Sequence, residues 1–453
     1  MSRALPAVLV CLCLVLAGCG GAAAPPRTPS SSPLVGTDAP ERLGVEDGVA
    51  ADARLNVTAS DGLTRDELGL VLDRTMARVE LIRGLEFTQP VGLRVLSRAE
   101  YREEAAFGAT VAPQTRRLRE QQFEATFLLG EAESVGAAYD ELYGSAVAGY
   151  YDAASNEIVV VGGSRPRIDT RTLAHELVHA LQNQHFGGRR PDGHDARTAY
   201  TGLVEGDARY VDTLYAERCD TEWSCLPTPT DDGDGGDGVD YDRGLFAVVY
   251  QPYADGAGFV HALHERGGWD AVNAAYGDPP VSTEQTIHPE AYPDERPVAV
   301  TVTDRSGPAW ERVESRTLGE LGAFTALWGA GAVPRERYYE ADGPYSSRTY
   351  AAEASTGWAG DRLVAYADGD RAAYVWKLRW DTTADARAFA AAYREGLERQ
   401  GAGSVGDDTY VIPSGGFADA FRVTREGDTV VVTNAPTVAA LDEVRTPRSD
   451  DAA

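Results

Sequence analysis

The stretch Thr-Leu-Ala-His-Glu-Leu-Val-His-Ala-Leu, residues 172–181, constrains this chain more than any other. It reads as a helix, with Leu173, Leu177, Val178 and Leu181 as apolar positions and no Gly or Pro between 171 and 186 to interrupt it. His175 and His179 are four residues apart and so share a helix face, where both imidazoles can bind one metal ion. Glu176 sits on the neighbouring flank, within reach of a metal-bound water whose proton it can take. Burying two histidines and a glutamate without partners would be costly, so the pattern points to a zinc hydrolase site rather than to a core helix.

Two histidines do not hold a catalytic zinc; a third ligand is required, with a position left open for water. The candidates are His185 and Glu205. His185 follows His179 at the metzincin spacing, but that pattern needs a glycine where Gln182 stands and a downstream Met-turn. The methionines of the chain are Met1 and Met76, so the metzincin pattern fails. Glu205 lies in Thr-Gly-Leu-Val-Glu-Gly-Asp-Ala-Arg-Tyr-Val-Asp, after a loop at 186–198 long enough to precede a return helix.

This arrangement resembles the gluzincins, HExxH peptidases whose third ligand is a glutamate on a second helix. The resemblance implies Glu205 as that ligand, one zinc ion per chain, and Gly206 and Ala208 as small residues allowing the two helices to approach. Asp207 or Asp212 would orient a ligand histidine, since Arg209 occupies the place of the clan's usual aspartate. The run at 267–292, with Pro-Pro, Ser-Thr-Glu-Gln and His-Pro-Glu-Ala-Tyr, is similar to HExxH surface lipoproteins of extreme halophiles and their bacterial relatives. That similarity covers about 140–295 and implies His288 or Tyr292 as a group steadying the oxyanion of peptide hydrolysis. A hairpin turning at 153–156 into a strand at 157–161 precedes the metal helix. In gluzincins the corresponding sheet edge pairs with extended substrate, so Gly149 to Asp152 would line the cleft, although an interior strand suits the same residues.

The N-terminus carries Arg3, an apolar run from Ala4 to Leu16 and Leu-Ala-Gly-Cys ending at Cys19, which together read as a lipoprotein signal peptide (1–18) with a lipidated Cys19. A flexible tether (19–60) follows, holding the chain at the outer face of a membrane. Cys11 and Cys13 leave with the leader, so Cys219 and Cys225 form the remaining pair, suited to a disulfide outside the cell. Asn56-Val-Thr is a glycosylation sequon. Lys377 is the single lysine among 42 basic residues, and the net charge is -28. Such a surface suits molar salt, where screening falls to about 3 Å, and excludes nucleic acid as a partner. The acidic run at 231–240 lacks EF-hand spacing and reads as a solvated loop.

The expected fold class is α+β: a gluzincin-like domain at 61–296, a smaller α+β domain at 297–445 and an acidic tail at 446–453. Within the first, a helix is predicted from Thr64 to Arg83, a strand near 91–96, helices to about 143, and helices at 246–266 and 269–276. Within the second, a strand at 298–303, a helix at 318–328, strands at 362–366 and 372–380, a helix at 384–400 and strands at 419–425 and 429–434 are predicted, with Trp358, Trp376 and Trp380 in the core. His261 and His264 offer a weaker metal pair with no carboxylate motif around them. The functional expectation is a lipid-anchored extracellular zinc metallopeptidase acting on peptide or protein substrates; the alternative is a surface binding or adhesion lipoprotein that keeps the fold without catalysis.

Overall fold

The computed structural model describes residues 42–104, 112–187, 190–229, 242–341, 345–346, 348–406 and 408–446. The leader at 1–18, Cys19, the tether up to 41, the acidic run at 231–240 and the tail from 447 lie outside the described residues. The fold is α+β. In chain order the elements are β1 (Val45–Glu46), β2 (Val49–Ala50), α1 (Arg65–Arg83), β3 (Gly92–Leu96), α2 (Arg98–Glu104), α3 (Pro113–Ala125), α4 (Val135–Ala146), β4 (Gly149–Asp152), β5 (Glu157–Val161), α5 (Thr170–Phe186), α6 (His194–Thr221), α7 (Arg243–Ala275) and α8 (Thr283–Ile287). They continue with β6 (Glu311–Arg316), α9 (Gly319–Gly329), β7 (Trp358–Asp368), β8 (Arg371–Trp380), α10 (Thr383–Arg399), β9 (Gly403–Gly406), β10 (Thr409–Val411), β11 (Ala420–Glu426), β12 (Thr429–Ala435) and α11 (Val438–Val444). Among the described residues no helix is long and apolar enough to cross a membrane.

The chain divides into two compact units, each discontinuous in sequence. One comprises Met1–Ala106, Tyr143–Gly188 and Ala208–Val239, the other Phe107–Leu142, Arg189–Asp207 and Asp240–Ala453; α6 runs unbroken through the junction after Asp207.

The first unit holds a three-stranded sheet of order β3-β5-β4, with β3 and β5 parallel and β4 antiparallel at the edge. Local chemistry sets the limits of α1. Thr64 and Glu67 form a capping box at its start, and Gly84, at φ 68°, ends it in the left-handed conformation that glycine adopts without a Cβ clash. The helix buries Leu68, Val71, Leu72, Val79 and Ile82, and also Arg78, whose Nε donates to Ala51 O at 2.8 Å. The same guanidinium reaches Tyr215 Oη, Ser224 O and Cys225 Sγ, so it anchors the loop closed by the Cys219–Cys225 disulfide, whose Cα atoms are 5.5 Å apart.

The second unit is built on a seven-stranded antiparallel sheet of order β6-β7-β8-β12-β11-β10-β9. Trp376 and Trp380 on β8 pack against Phe389 of α10, and Trp358 is fully buried at the start of β7. Helix α7 breaks at Gly267–Gly268, which separates the two helical stretches predicted there. Gly206 does not serve the approach of α6 to α5 that the gluzincin resemblance implied. It packs on α7 instead: a Cβ on Gly206 would lie 2.2 Å from the Gly256 carbonyl carbon, and one on Gly256 would lie 2.1 Å from Gly202 O.

The strand predicted at 298–303 is absent. Val300 and Val302 are buried while Thr301 and Thr303 are exposed, so the alternation reports which side chains face the core. The segment itself carries no ladder; Val298 N donates to Ala359 O, and β7 pairs with β6 (Glu311–Arg316), which sequence reasoning did not find.

Candidate metal centre

Helix α5 starts at Asp169, whose carboxylate accepts from Arg171 N at 3.0 Å, and it buries Leu173, Leu177, Val178 and Leu181. That burial fixes its rotation, and both histidines of the HELVH run emerge on one buried face with ring centroids 5.0 Å apart. Glu205 is carried by α6. Ligand atoms of His175, His179 and Glu205 all lie within 4.8 Å of one another, and all three residues are buried. His185, the other candidate third ligand, is exposed, with its Nε2 at 2.7 Å from Glu86 O.

Each histidine is oriented through Nδ1. His175 Nδ1 is 3.1 Å from Asp212 Oδ2, and a carboxylate oxygen can only accept, so Nδ1 carries the proton and the lone pair lies on Nε2. His179 Nδ1 is 2.8 Å from Gln182 Oε1, one turn along the same helix. Asp212 is itself held: Arg171 Nε donates to Oδ1 at 2.7 Å and Arg209 Nη1 lies 3.4 Å from both oxygens. Burial alone would raise the Asp212 carboxyl, but the His175 hydrogen bond and the charges of Arg209 and Arg171 outweigh it and keep the group below the ordinary carboxylate range. Arg209, found where the resemblance would put an aspartate, thus acts on the aspartate three residues later.

Glu176 is buried beside the histidines, and its Oε2 accepts from Tyr151 N at 3.0 Å. Tyr151 belongs to β4, the edge strand, and its ring hydroxyl accepts from Asn183 Nδ2 and donates to Asn156 Oδ1. Two imidazoles and one carboxylate with fixed tautomers form a donor set of the kind that takes zinc with a coordination position to spare.

The remaining sequence candidates have other partners. Asp207 Oδ2 accepts from Tyr276 Oη at 2.8 Å. His288 Nε2 lies 3.1 Å from the buried Glu320 Oε1; burial opposes charge on the imidazole, but Glu320 and its neighbouring carboxylates prevail and raise the His288 pKa. Tyr292 Oη donates to Asp278 O at 2.7 Å, and Arg266 donates to the carbonyls of Pro289 and Tyr292, so the His-Pro-Glu-Ala-Tyr turn is tied to neighbouring segments by hydrogen bonds. His261 stacks near Tyr345 and His264 meets Trp269 edge-on. Asn56 is exposed, outside regular structure. Gln182 had entered sequence reasoning only as a missing glycine; the signal that marks it is its i+3 position from His179 on a helix.

A protein-family model for a domain of unknown function (DUF8575) matches residues 308–445, which fall within the second unit. No curated protein and no solved structure matches the chain.

Proposed function

We propose that this chain is a zinc-dependent peptidase of gluzincin type, with His175, His179 and Glu205 holding the metal and Glu176 as general base. The observation that carries the reading is the convergence of those three ligands within 4.8 Å, with Asp212 at 3.1 Å from His175 Nδ1. A purely structural site has no use for a carboxylate such as Glu176 beside its ligands.

Zinc, when bound, supplies Lewis acidity toward the scissile carbonyl and the attacking water. The chain's own groups do the rest. Tyr151 N–H holds one oxygen of Glu176, which aims the carboxylate; the other oxygen takes the proton of the attacking water and later delivers it to the leaving amine. Asp212 and Gln182 keep both imidazoles in one tautomer, so ligand geometry is set before substrate arrives. The edge position of β4 supports an extended peptide lying along Gly149–Asp152. His288 and Tyr292 are left out of this mechanism, because Glu320 and the Asp278 carbonyl occupy their polar atoms. The lipidated Cys19 and an extracellular, membrane-tethered location belong to the same proposal and rest on the leader sequence.

Metal analysis of protein purified in molar salt, paired with a peptide-library digest, tests the reading. Glu176→Gln should keep zinc and fold while turnover falls by roughly 100- to 10,000-fold. Protein that takes up no zinc, or a variant that cleaves as fast as wild type, would sink it. A chain that binds a surface partner and cleaves nothing would instead be the adhesion lipoprotein.

A further inference from the structure

In this chain 70 acidic residues outnumber 42 basic ones, so arginines that gather without a carboxylate partner call for an explanation. Three do so in the second unit, where α3, α6 and β6 meet. Gln122 of α3 accepts from Arg316 Nη1 of β6 at 2.6 Å, and Gln122 Nε2 lies 3.5 Å from Nε2 of His194, the first residue of α6. Arg119 stands one turn before Gln122 on α3 and Arg197 one turn after His194 on α6, so both helices carry an arginine to the same place.

The hydrogen bonds fix which atoms can donate. Gln122 Oε1 takes the Arg316 proton, so its amide nitrogen faces His194 Nε2 as a donor, which places the imidazole proton on Nδ1. Burial, and then the charges of Arg316, Arg197 and Arg119, push the His194 pKa down to about 3, so the ring carries no charge at neutral pH. Arg316 Nε is buried with no hydrogen-bond partner among the described residues, which leaves the Nε–Nη2 edge of its guanidinium open. The same edge of Arg399 holds Glu395 Oε1, through Nε at 3.0 Å and Nη2 at 2.7 Å. Glu314 pulls on Arg316 from the same strand without forming an ion pair, and burial together with Arg119 still depresses the guanidinium to about 10. Arg119 and Arg197 are exposed, and neither side chain forms an ion pair or donates a hydrogen bond among the described residues. Cations held this close repel one another, and an anion among them removes the repulsion.

We propose that Arg119, Arg197 and Arg316 bind a tetrahedral oxyanion of the phosphate or sulfate class where α3, α6 and β6 meet. A planar carboxylate is filled by a single guanidinium fork, whereas donors arriving from three elements suit an anion whose oxygens point in several directions. None of these residues is a zinc ligand, so anion binding is independent of peptidase activity.

The test uses the full chain at neutral pH in molar KCl, where chloride and screening stay constant and general attraction between charges is suppressed. Inorganic phosphate is the probe, with acetate in parallel. The ring signal of His194 in a magnetic-resonance spectrum, identified by its loss in His194→Gln, reads proximity rather than protonation, because the imidazole is already neutral. Thermal unfolding reads coupling to the fold. Phosphate should move the His194 signal saturably and raise Tm, and acetate should bind roughly tenfold more weakly or worse. Arg119→Gln and Arg197→Gln, at exposed positions, should each weaken phosphate binding on the order of tenfold. The two together should abolish the response and, without phosphate, match or exceed the wild-type Tm, because like charges have been removed. Arg387→Gln, exposed on α10, is the control and should bind phosphate as wild type does. A wild type that ignores phosphate, acetate binding as tight as phosphate, or unchanged affinity in the Arg119 and Arg197 variants overturns the site.

Discussion

Asp212 Oδ2 lies 3.1 Å from His175 Nδ1, and Asp212 stands on α6 two turns beyond Glu205. One helix therefore carries both a candidate ligand and the group that orients another. Asp212→Ala should weaken zinc affinity by about 10- to 100-fold, the usual cost of losing a carboxylate behind a ligand histidine. Competition against a chelator of known affinity measures it, and an unchanged affinity would mean that His175 needs no such partner.

Glu205→Ala should lose zinc, whereas His185→Ala should retain it, since His185 is exposed and bonded to Glu86 O. Zinc content of the two purified variants decides the matter, and the reverse pattern would remove Glu205 from the site.

Gly256→Ala should destabilise the fold by about 1–3 kcal/mol or more, because its methyl group would lie 2.1 Å from Gly202 O with only backbone to displace. Gly258→Ala, two residues along the same helix and open on its Cβ side, is the control and should be near neutral or slightly stabilising. Denaturant midpoints of the pair check the difference.

Stability should fall as pH rises from about 4 to about 7 through Asp195. Burial raises its carboxyl to about 7, against the opposing hydrogen bonds from Thr283. Below about 4 both folded and unfolded chains bind the proton; between the two values only the folded chain does, so its advantage shrinks with pH and is lost above the folded value. Asp195→Asn keeps an acceptor for Thr283 and should flatten that part of the profile. A profile as steep in the variant as in wild type would place the proton uptake elsewhere.

Much of this was legible in the sequence where a single local rule decides the outcome. Thr64 and Glu67 mark the start of α1, and Asn156, at φ 55°, closes the β4–β5 hairpin where the turn residues were expected. The HELVH spacing brings two histidines to one face in any helix. What was not legible depends on contacts between distant segments. Val300 and Val302 alternate like a strand because they face a core, yet sequence period reports burial and not who supplies the hydrogen bonds. The choice of Asp212 over Asp207 required knowing that Tyr276 takes the latter and that Arg171 approaches the former. Tyr151 reaches Glu176 through its backbone, a contact that no side-chain identity announces.

The glycine seam of α6 and α7 has a further meaning for how this molecule can change. Gly202, Gly206 and Gly256 meet backbone to backbone, so no rotamer there can flex to absorb a shift, and Glu205 is the immediate neighbour of Gly206. The position from which Glu205 departs is thus a property of covalent geometry, insensitive to the drift of surrounding side chains. Tuning by substitution is left to softer parts such as Gln182, whose hydrogen bond to His179 Nδ1 can be remade without moving a helix.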